Sequence, residues 1–371
     1  MTTKFILLGG FLGAGKTTLI GQLARRYLND GKTVAIITND QAADLVDTMN
    51  LRSQGFDVGE VAGACFCCSF DDLVATAGKL GQGGVPDVII AEPVGSCTDL
   101  VATVVLPLQQ LLGDQFDLAP FGVLLKPSHG KRILAESSDD SARSGFSPQA
   151  EYIFRKQLEE ADYLMIGRAD QLTDNEVTSL TENLNRVAAG VPVITVSPKT
   201  GQGVDQVMGY IESPMIAGRR LLHIDYDTYA DGEAELGWVN LTARLAPCSE
   251  ISLDALAEAL VGGIADSIRA IENASIAHVK VSVIAEDTQA IANIVSNDSA
   301  VDVGLSSGRR VDSPLQVIVN ARVAMDPVAL EAICRSAVAT QTAVVQAEVT
   351  GVSAHSLRPG RPTPTHRVTS E

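Results

Sequence analysis

Short, continuously apolar runs alternate with amphipathic stretches along the first three fifths of the chain. Runs at 5–8, 34–38, 88–91, 121–125, 163–166 and 193–196 are uninterrupted enough to be strands buried on both faces. Helical patterns at 16–28, 150–160 and 174–188 follow three of them. This alternation predicts an α/β domain, a mostly parallel sheet with helices on both faces. Beyond Ile216 a linker through Gly218, Arg219 and Arg220 and a polar stretch at 225–235 break the pattern. Strand (238–245), helix (253–271), two strands (278–285, 315–323), helix (327–340) and strand (344–352) then follow. The order β-α-β-β-α-β predicts a smaller α+β, ferredoxin-like domain. The expected division is 1–217, 218–356 and a disordered tail at 357–371, where Pro359, Pro362 and Pro364 interrupt basic and hydroxyl residues. Ser137, Ser138, Asp139, Asp140 and Ser141 read as a solvated loop.

Composition narrows the class. A chain of 371 residues exceeds what one core supports, and 46% hydrophobic with 20% charged residues describes a folded, soluble protein. Its net charge of -17 disfavours nucleic acid or an anionic membrane as partner. No apolar run approaches the roughly 18 residues of a membrane span. The run at 5–8 leads straight into a glycine loop and so reads as a strand, not the core of a signal peptide. Six cysteines, three of them crowded together, do not form a secreted disulfide framework, so a cytoplasmic location is expected.

The glycine loop carries the first chemistry. Residues 10–17, Gly-Phe-Leu-Gly-Ala-Gly-Lys-Thr, satisfy G-x-x-x-x-G-K-[ST] between a strand and a helix. The backbone N–H groups of Gly10, Gly13, Ala14 and Gly15 are expected to wrap phosphates, with the helix N-terminus aimed at the same charge. Lys16 is assigned to the β and γ phosphates, Thr17 to Mg²⁺ and Thr18 to the α phosphate or to local packing. The strand at 88–91 ends in Glu92-Pro93-Val94-Gly95, an acidic-x-x-glycine element. Glu92 is expected to hold Mg²⁺ through water, and the Gly95 N–H to meet the γ phosphate and lose it on hydrolysis. Asn39 and Asp40, closing the second strand, are candidates for Mg²⁺, water or metal contact, or for an ordinary helix cap. Asp170 follows the strand at 163–166, where a carboxylate would accept two hydrogen bonds from guanine that adenine cannot supply. Ser197 and Lys199 lie in a second loop suited to the base, so GTP and GDP are favoured over ATP.

Cys65, Cys67 and Cys68 lie between these elements. Three close thiolates supply most of a tetrahedral soft-metal site, leaving a fourth position for a carboxylate such as Asp40, or for water. Zn²⁺ fits such ligands best, with Co²⁺ as the alternative. Reduced, packed cysteines are the bland alternative. Cys97 is assigned to packing, with sensing of the metal or the switch as its other reading. None of the five histidines shows paired metal spacing.

Together, the glycine loop, Thr38-Asn39-Asp40, Cys65-Phe66-Cys67-Cys68, Glu92 to Gly95, Gln157-Leu158-Glu159-Glu160-Ala161-Asp162 and Ser197 to Gly201 resemble the CobW-type branch of the P-loop GTPases. That branch is related to the urease and hydrogenase nickel-insertion GTPases. The resemblance covers roughly 4–216. It implies a slow GTPase, with Lys16, Thr17, Glu92 and Gly95 as catalytic residues, that delivers a metal to a metal-dependent or corrinoid client protein. Pro93 stands where relatives carry a hydroxyl residue, and Gly167 and Arg168 replace the Asn-Lys of the guanine loop. Two other readings stay open. One is an assembly chaperone for a corrinoid enzyme with a structural zinc; the other is a nucleotide-sensing regulator. Self-association is left open. Trp238 and the stretch at 225–235 are expected to face the client.

Overall fold

The computed structural model describes residues 2–40, 46–80, 84–134, 147–286 and 288–369. The solvated loop expected at 137–141 lies outside them. The chain forms two compact units: Met1–Gln41 with Phe56–Gly232 and Arg361–Glu371, and Ala42–Gly55 with Glu233–Gly360.

In the first unit the strands are β1 (Thr3–Gly9), β2 (Val34–Asp40), β3 (Asp57–Ala62), β4 (Val88–Glu92), β5 (Phe116–Leu118), β6 (Gly122–Leu125), β7 (Tyr163–Ile166) and β8 (Val193–Thr195). They form one sheet in the order β3-β2-β4-β1-β6-β7-β8, with β5 beside β1, and every pairing is parallel. Every residue of β4, β6 and β7 is buried, which requires cover on both faces. The helices carry the expected stop and start chemistry. Pro148 opens the helix Pro148–Glu159 behind a Ser147 cap, and Thr173 with Glu176 forms a reciprocal capping box on Asp174–Val187.

The second unit holds β9 (Leu236–Pro247), β10 (Ile251–Ser252), β11 (Ser275–Ala285), β12 (Thr288–Ile294), β13 (Asp302–Leu305), β14 (Arg310–Val311), β15 (Leu315–Ala324) and β16 (Ala347–Leu357). Its antiparallel sheet has the order β13-β12-β11-β15-β9-β16. The helices Leu253–Arg269 and Pro327–Val344 pack into its apolar core through Leu256, Leu260, Ile264, Leu330 and Cys334. The expected β-α-β-β-α-β core is present as β9, helix, β11, β15, helix and β16. The hairpin partners β12 and β13 extend the sheet beyond β11.

The compact units depart from the expected division in three places. Unit 1 continues to Gly232, beyond the boundary expected at 217. The connection from β2 to β3 belongs to the second unit, where the helix Val46–Ser53 packs. There the Val46 N–H donates to the Asn320 side chain at 2.9 Å, Asp47 pairs with Lys280, and Val46 is buried with Ile291 and Ile318. Finally, residues 361–369 are hydrogen-bonded to the first unit, not loose as their proline content suggested. Trp238 also departs from expectation: it is 2% exposed, with the Arg322 guanidinium 4.3 Å from its ring centre.

Candidate functional site

The glycine loop bends between β1 and the helix Lys16–Asn29 through positive φ angles at Gly10, Gly13 and Gly15. At Gly10 a side chain is excluded twice, because φ is +139° and a Cβ would lie 2.5 Å from the Leu124 carbonyl oxygen. Lys16 and Thr17 are buried on the first helical turn, and Thr18 is exposed. The Lys16 Nζ donates to the Gly10 carbonyl at 2.8 Å and stands 3.9 Å from Glu92. The Thr17 hydroxyl donates to Glu92 at 3.2 Å. Lysine, hydroxyl and the carboxylate closing β4 therefore converge.

Gly95 closes against the same loop. A Cβ there would meet the Leu12 side chain at 2.8 Å and its amide nitrogen at 3.1 Å. Gln157, from the helix Pro148–Glu159, donates its side-chain amide to the carbonyls of Gly95 (3.0 Å) and Cys97 (2.8 Å). One buried carboxamide thus holds the segment after Glu92 at two points. Glu160 continues the clamp, accepting from the Thr98 hydroxyl at 3.1 Å and the Val101 N–H at 3.2 Å. Its carboxyl is pushed up to about 8, chiefly by burial and also by Asp99. Asp162 in turn accepts N–H bonds from Phe121 and Gly218 at 2.8 and 2.7 Å.

The two loops expected at the base meet each other. The Ala169 N–H donates to the Val196 carbonyl at 3.2 Å, tying the segment of Asp170 to that of Ser197. Asp170 and Lys199 are exposed, while Ser197 is buried with its hydroxyl 3.4 Å from the Thr200 amide. Gly167 packs against the glycine loop: a Cβ would lie 3.1 Å from the Leu125 carbonyl oxygen and 3.4 Å from that of Ala14. Nearby, Lys126 ends β6 in a buried position 3.3 Å from the His129 ring, and burial, helped by Arg168 and Arg132, pushes its ammonium down to about 7. The sequence offered no signal for that lysine.

The cysteines occupy the turn between β3 and the helix Phe70–Lys79, closed by the Cys68 and Ser69 amides on the Cys65 carbonyl at 3.0 and 2.9 Å. Their sulfurs lie 2.9 Å (Cys65–Cys67), 3.4 Å (Cys65–Cys68) and 3.7 Å (Cys67–Cys68) apart. Around a tetrahedral Zn²⁺ with sulfurs at about 2.3 Å, neighbouring sulfurs stand roughly 3.8 Å apart. The triad therefore needs only a small opening to take such an ion, and it is a group that can hold one. All six cysteines are free thiols. Cys65 is held well below the usual thiol value by the Cys67 thiol first, then Cys68 and Cys97. Cys67 is raised by the same contacts, and Cys68 is pushed up to about 11, first by Cys65.

Two residues outside the motif position it. Asn39 at the end of β2 donates to the carbonyls of Ala64 (2.7 Å) and Val61 (2.9 Å), and its side-chain oxygen accepts the Phe66 N–H at 2.8 Å. These three bonds staple the cysteine turn to the end of β2. Cys97, buried two residues beyond Gly95, hydrogen-bonds through its thiol with Cys65 and Cys67. The Asp40 side chain, a candidate fourth ligand, lies outside the described part of the structure.

Comparison with known proteins places this arrangement. The chain is 27% identical over 199 residues to the zinc chaperone YjiA of Escherichia coli, across 52% of this chain and 56% of that one. It is also 27% identical over 250 residues to the zinc chaperone CobW of Pseudomonas aeruginosa, across 58% and 60%. The matched stretches span about half the length of these relatives. A crystal structure of Zn(II)-bound YjiA GTPase from E. coli aligns over 92% of this chain and 99% of that one, at 16% identity and a TM-score of 0.37. The description "CobW/HypB/UreG, nucleotide-binding domain" matches residues 4–195, more than half of the sequence and all of the phosphate and thiol elements above, and the chain belongs to that family.

Proposed function

We propose that the protein is a GTP-hydrolysing metallochaperone that carries a transition metal, zinc first, on Cys65, Cys67 and Cys68 and passes it to a metal-dependent client. One observation carries this reading: the thiols of Cys65 and Cys67 touch Cys97, and Cys97 shares the Gln157 clamp with Gly95. A γ phosphate that engages Gly95 therefore acts on a segment in direct contact with the metal-binding thiols. The zinc-chaperone relatives support zinc over cobalt as cargo.

In the chemical step Lys16 and the loop amides balance charge that develops on the transferred phosphoryl group as water attacks it. Mg²⁺, held by Thr17 and by Glu92 through water, would neutralise phosphate charge there. Asp170, Ser197 and Lys199 select guanine. Thr18, exposed on the first turn of the helix Lys16–Asn29, is suited to the α phosphate.

The test pairs two assays on the whole chain. Zinc stoichiometry at equilibrium is expected near one per chain, and lost in the Cys65→Ala, Cys67→Ala, Cys68→Ala triple variant. Phosphate release from GTP is expected in the native chain and lost in Lys16→Ala. Retained zinc in the triple variant, or release that survives Lys16→Ala, contradicts the assignment.

A further inference from the structure

The thiol site has a cover drawn from the far end of the chain. Residues 361–366 read Arg-Pro-Thr-Pro-Thr-His, so Pro362 and Pro364 lack an amide donor and are fixed near an extended φ. That leaves the threonine amides to make contacts, and they make them on the cysteine turn. The Thr363 N–H donates to the Cys68 sulfur at 3.3 Å, the Thr365 N–H to the Cys67 carbonyl at 2.9 Å, and the Thr365 hydroxyl to the Cys68 carbonyl at 3.1 Å. His366 then sets its ring edge-on to Phe70, 4.9 Å between centres, at the start of the helix that follows the cysteines.

The segment is latched on its other side to the loop that carries Cys97. Arg367 donates to the Asp99 carboxylate at 2.7 Å and to the Leu222 carbonyl at 3.2 Å, and its guanidinium lies 5.7 Å from the centre of the Tyr226 ring. Asp99 is held by the Tyr226 hydroxyl as well, at 2.8 Å. The Val368 N–H donates to the Ala102 carbonyl at 2.9 Å. Cys65 and Cys67 are almost wholly buried, so Cys68 is the most exposed thiol of the triad, and it is the one whose sulfur the segment meets.

We propose that residues 363–368 form a strap that closes the thiol site, so that metal enters and leaves Cys65, Cys67 and Cys68 only when the strap lets go. The proposal rests on the metal-carrying reading above. A strap, not a permanent wall, follows from the kind of contact. A few partly exposed hydrogen bonds and one ion pair, set against the conformational entropy regained by a short segment on release, hold it only marginally. Local release is then far easier than unfolding. The Thr363 amide adds a second role, because an N–H donor to sulfur steadies the ligand it touches.

The test compares the full chain with a chain ending at Pro362 and with Arg367→Ala, which cuts the Asp99 latch and leaves every residue of the cysteine turn in place. Two rates are read. Zinc-loaded proteins are mixed with a chromogenic chelator, and metal-free proteins are treated with iodoacetamide, with alkylation of Cys68 followed by peptide mass spectrometry. Circular dichroism and thermal unfolding report whether each variant is folded, and Arg367→Ala decides if the shortened chain is not. Zinc release and Cys68 alkylation are both expected to rise by at least about tenfold, the effect of losing roughly one net hydrogen bond's worth of closure. Rates equal to those of the full chain overturn the strap. If the full chain binds no zinc, the cargo reading falls, and the alkylation rates alone decide the strap.

Discussion

Asn39 and Phe66 are joined by a 2.8 Å hydrogen bond from the Phe66 amide to the Asn39 side-chain oxygen, which fixes the cysteine turn to the end of β2. The same side chain donates to two carbonyls, so Asn39→Ala removes three hydrogen bonds that hold the turn. The expected loss of stability is about 2–4 kcal/mol, measured by urea unfolding. Zinc affinity, measured by chelator competition, is expected to fall by about tenfold or more as the turn loosens.

Gly95→Ala is predicted to damage nucleotide binding although it keeps the N–H assigned to the γ phosphate. Its Cβ would drive into Leu12, and the glycine loop has no slack there because Gly10 is already packed on Leu124. Affinity for a non-hydrolysable GTP analogue, measured by calorimetry, is expected to drop by at least about tenfold, or roughly 1.4 kcal/mol. Gly78→Ala is the control: nothing lies within 4 Å of its Cβ, and it sits in the exposed end of a helix. That change should stabilise the protein by about 0.5–1 kcal/mol and leave nucleotide affinity unchanged.

Glu160 gives the fold a pH dependence with a definite sign. Its folded value of about 8 lies above the ordinary 4.5, so the folded state holds a proton there that the unfolded chain releases. Its favourable contribution is complete below pH 4.5 and is lost as pH rises toward 8, on the order of 2–4 kcal/mol. Glu160→Gln imitates the protonated form: its side-chain oxygen can accept the Val101 N–H while its amide donates to the Thr98 hydroxyl oxygen. Denaturant unfolding from pH 5 to 9 is expected to show a smaller decline for Glu160→Gln than for the native chain.

The fold and the site were legible in the sequence to different depths. The continuous apolar runs of β1, β4, β6 and β7 could hardly be anything but buried strands, and the glycine loop announces itself because its chemistry uses consecutive residues. β3 escaped notice because only Val58 and Val61 of its six residues are buried. The excursion of Val46–Ser53 into the second unit rests on Asn320 and Lys280, far away in sequence. The same distance hides the partners of Asn39 and Gln157, whose side chains act on backbone carbonyls, and a carbonyl has no residue identity to read. The terminal segment misled for another reason. Alternating Pro and Thr reads as disorder by composition, yet it also presents threonine amides in an extended chain, and only the fold shows that the cysteine turn is there to receive them.

The central claim is that nucleotide state and metal affinity are linked through Gly95, Cys97 and the cysteine turn. The most direct measurement is the zinc dissociation constant of the whole chain with Mg²⁺ and a non-hydrolysable GTP analogue, set against the same measurement with Mg²⁺ and GDP. Linkage of about 1–3 kcal/mol, a five- to 150-fold difference, is the predicted result. Equal zinc affinity in the two nucleotide states, with both nucleotides shown to be bound, would contradict it.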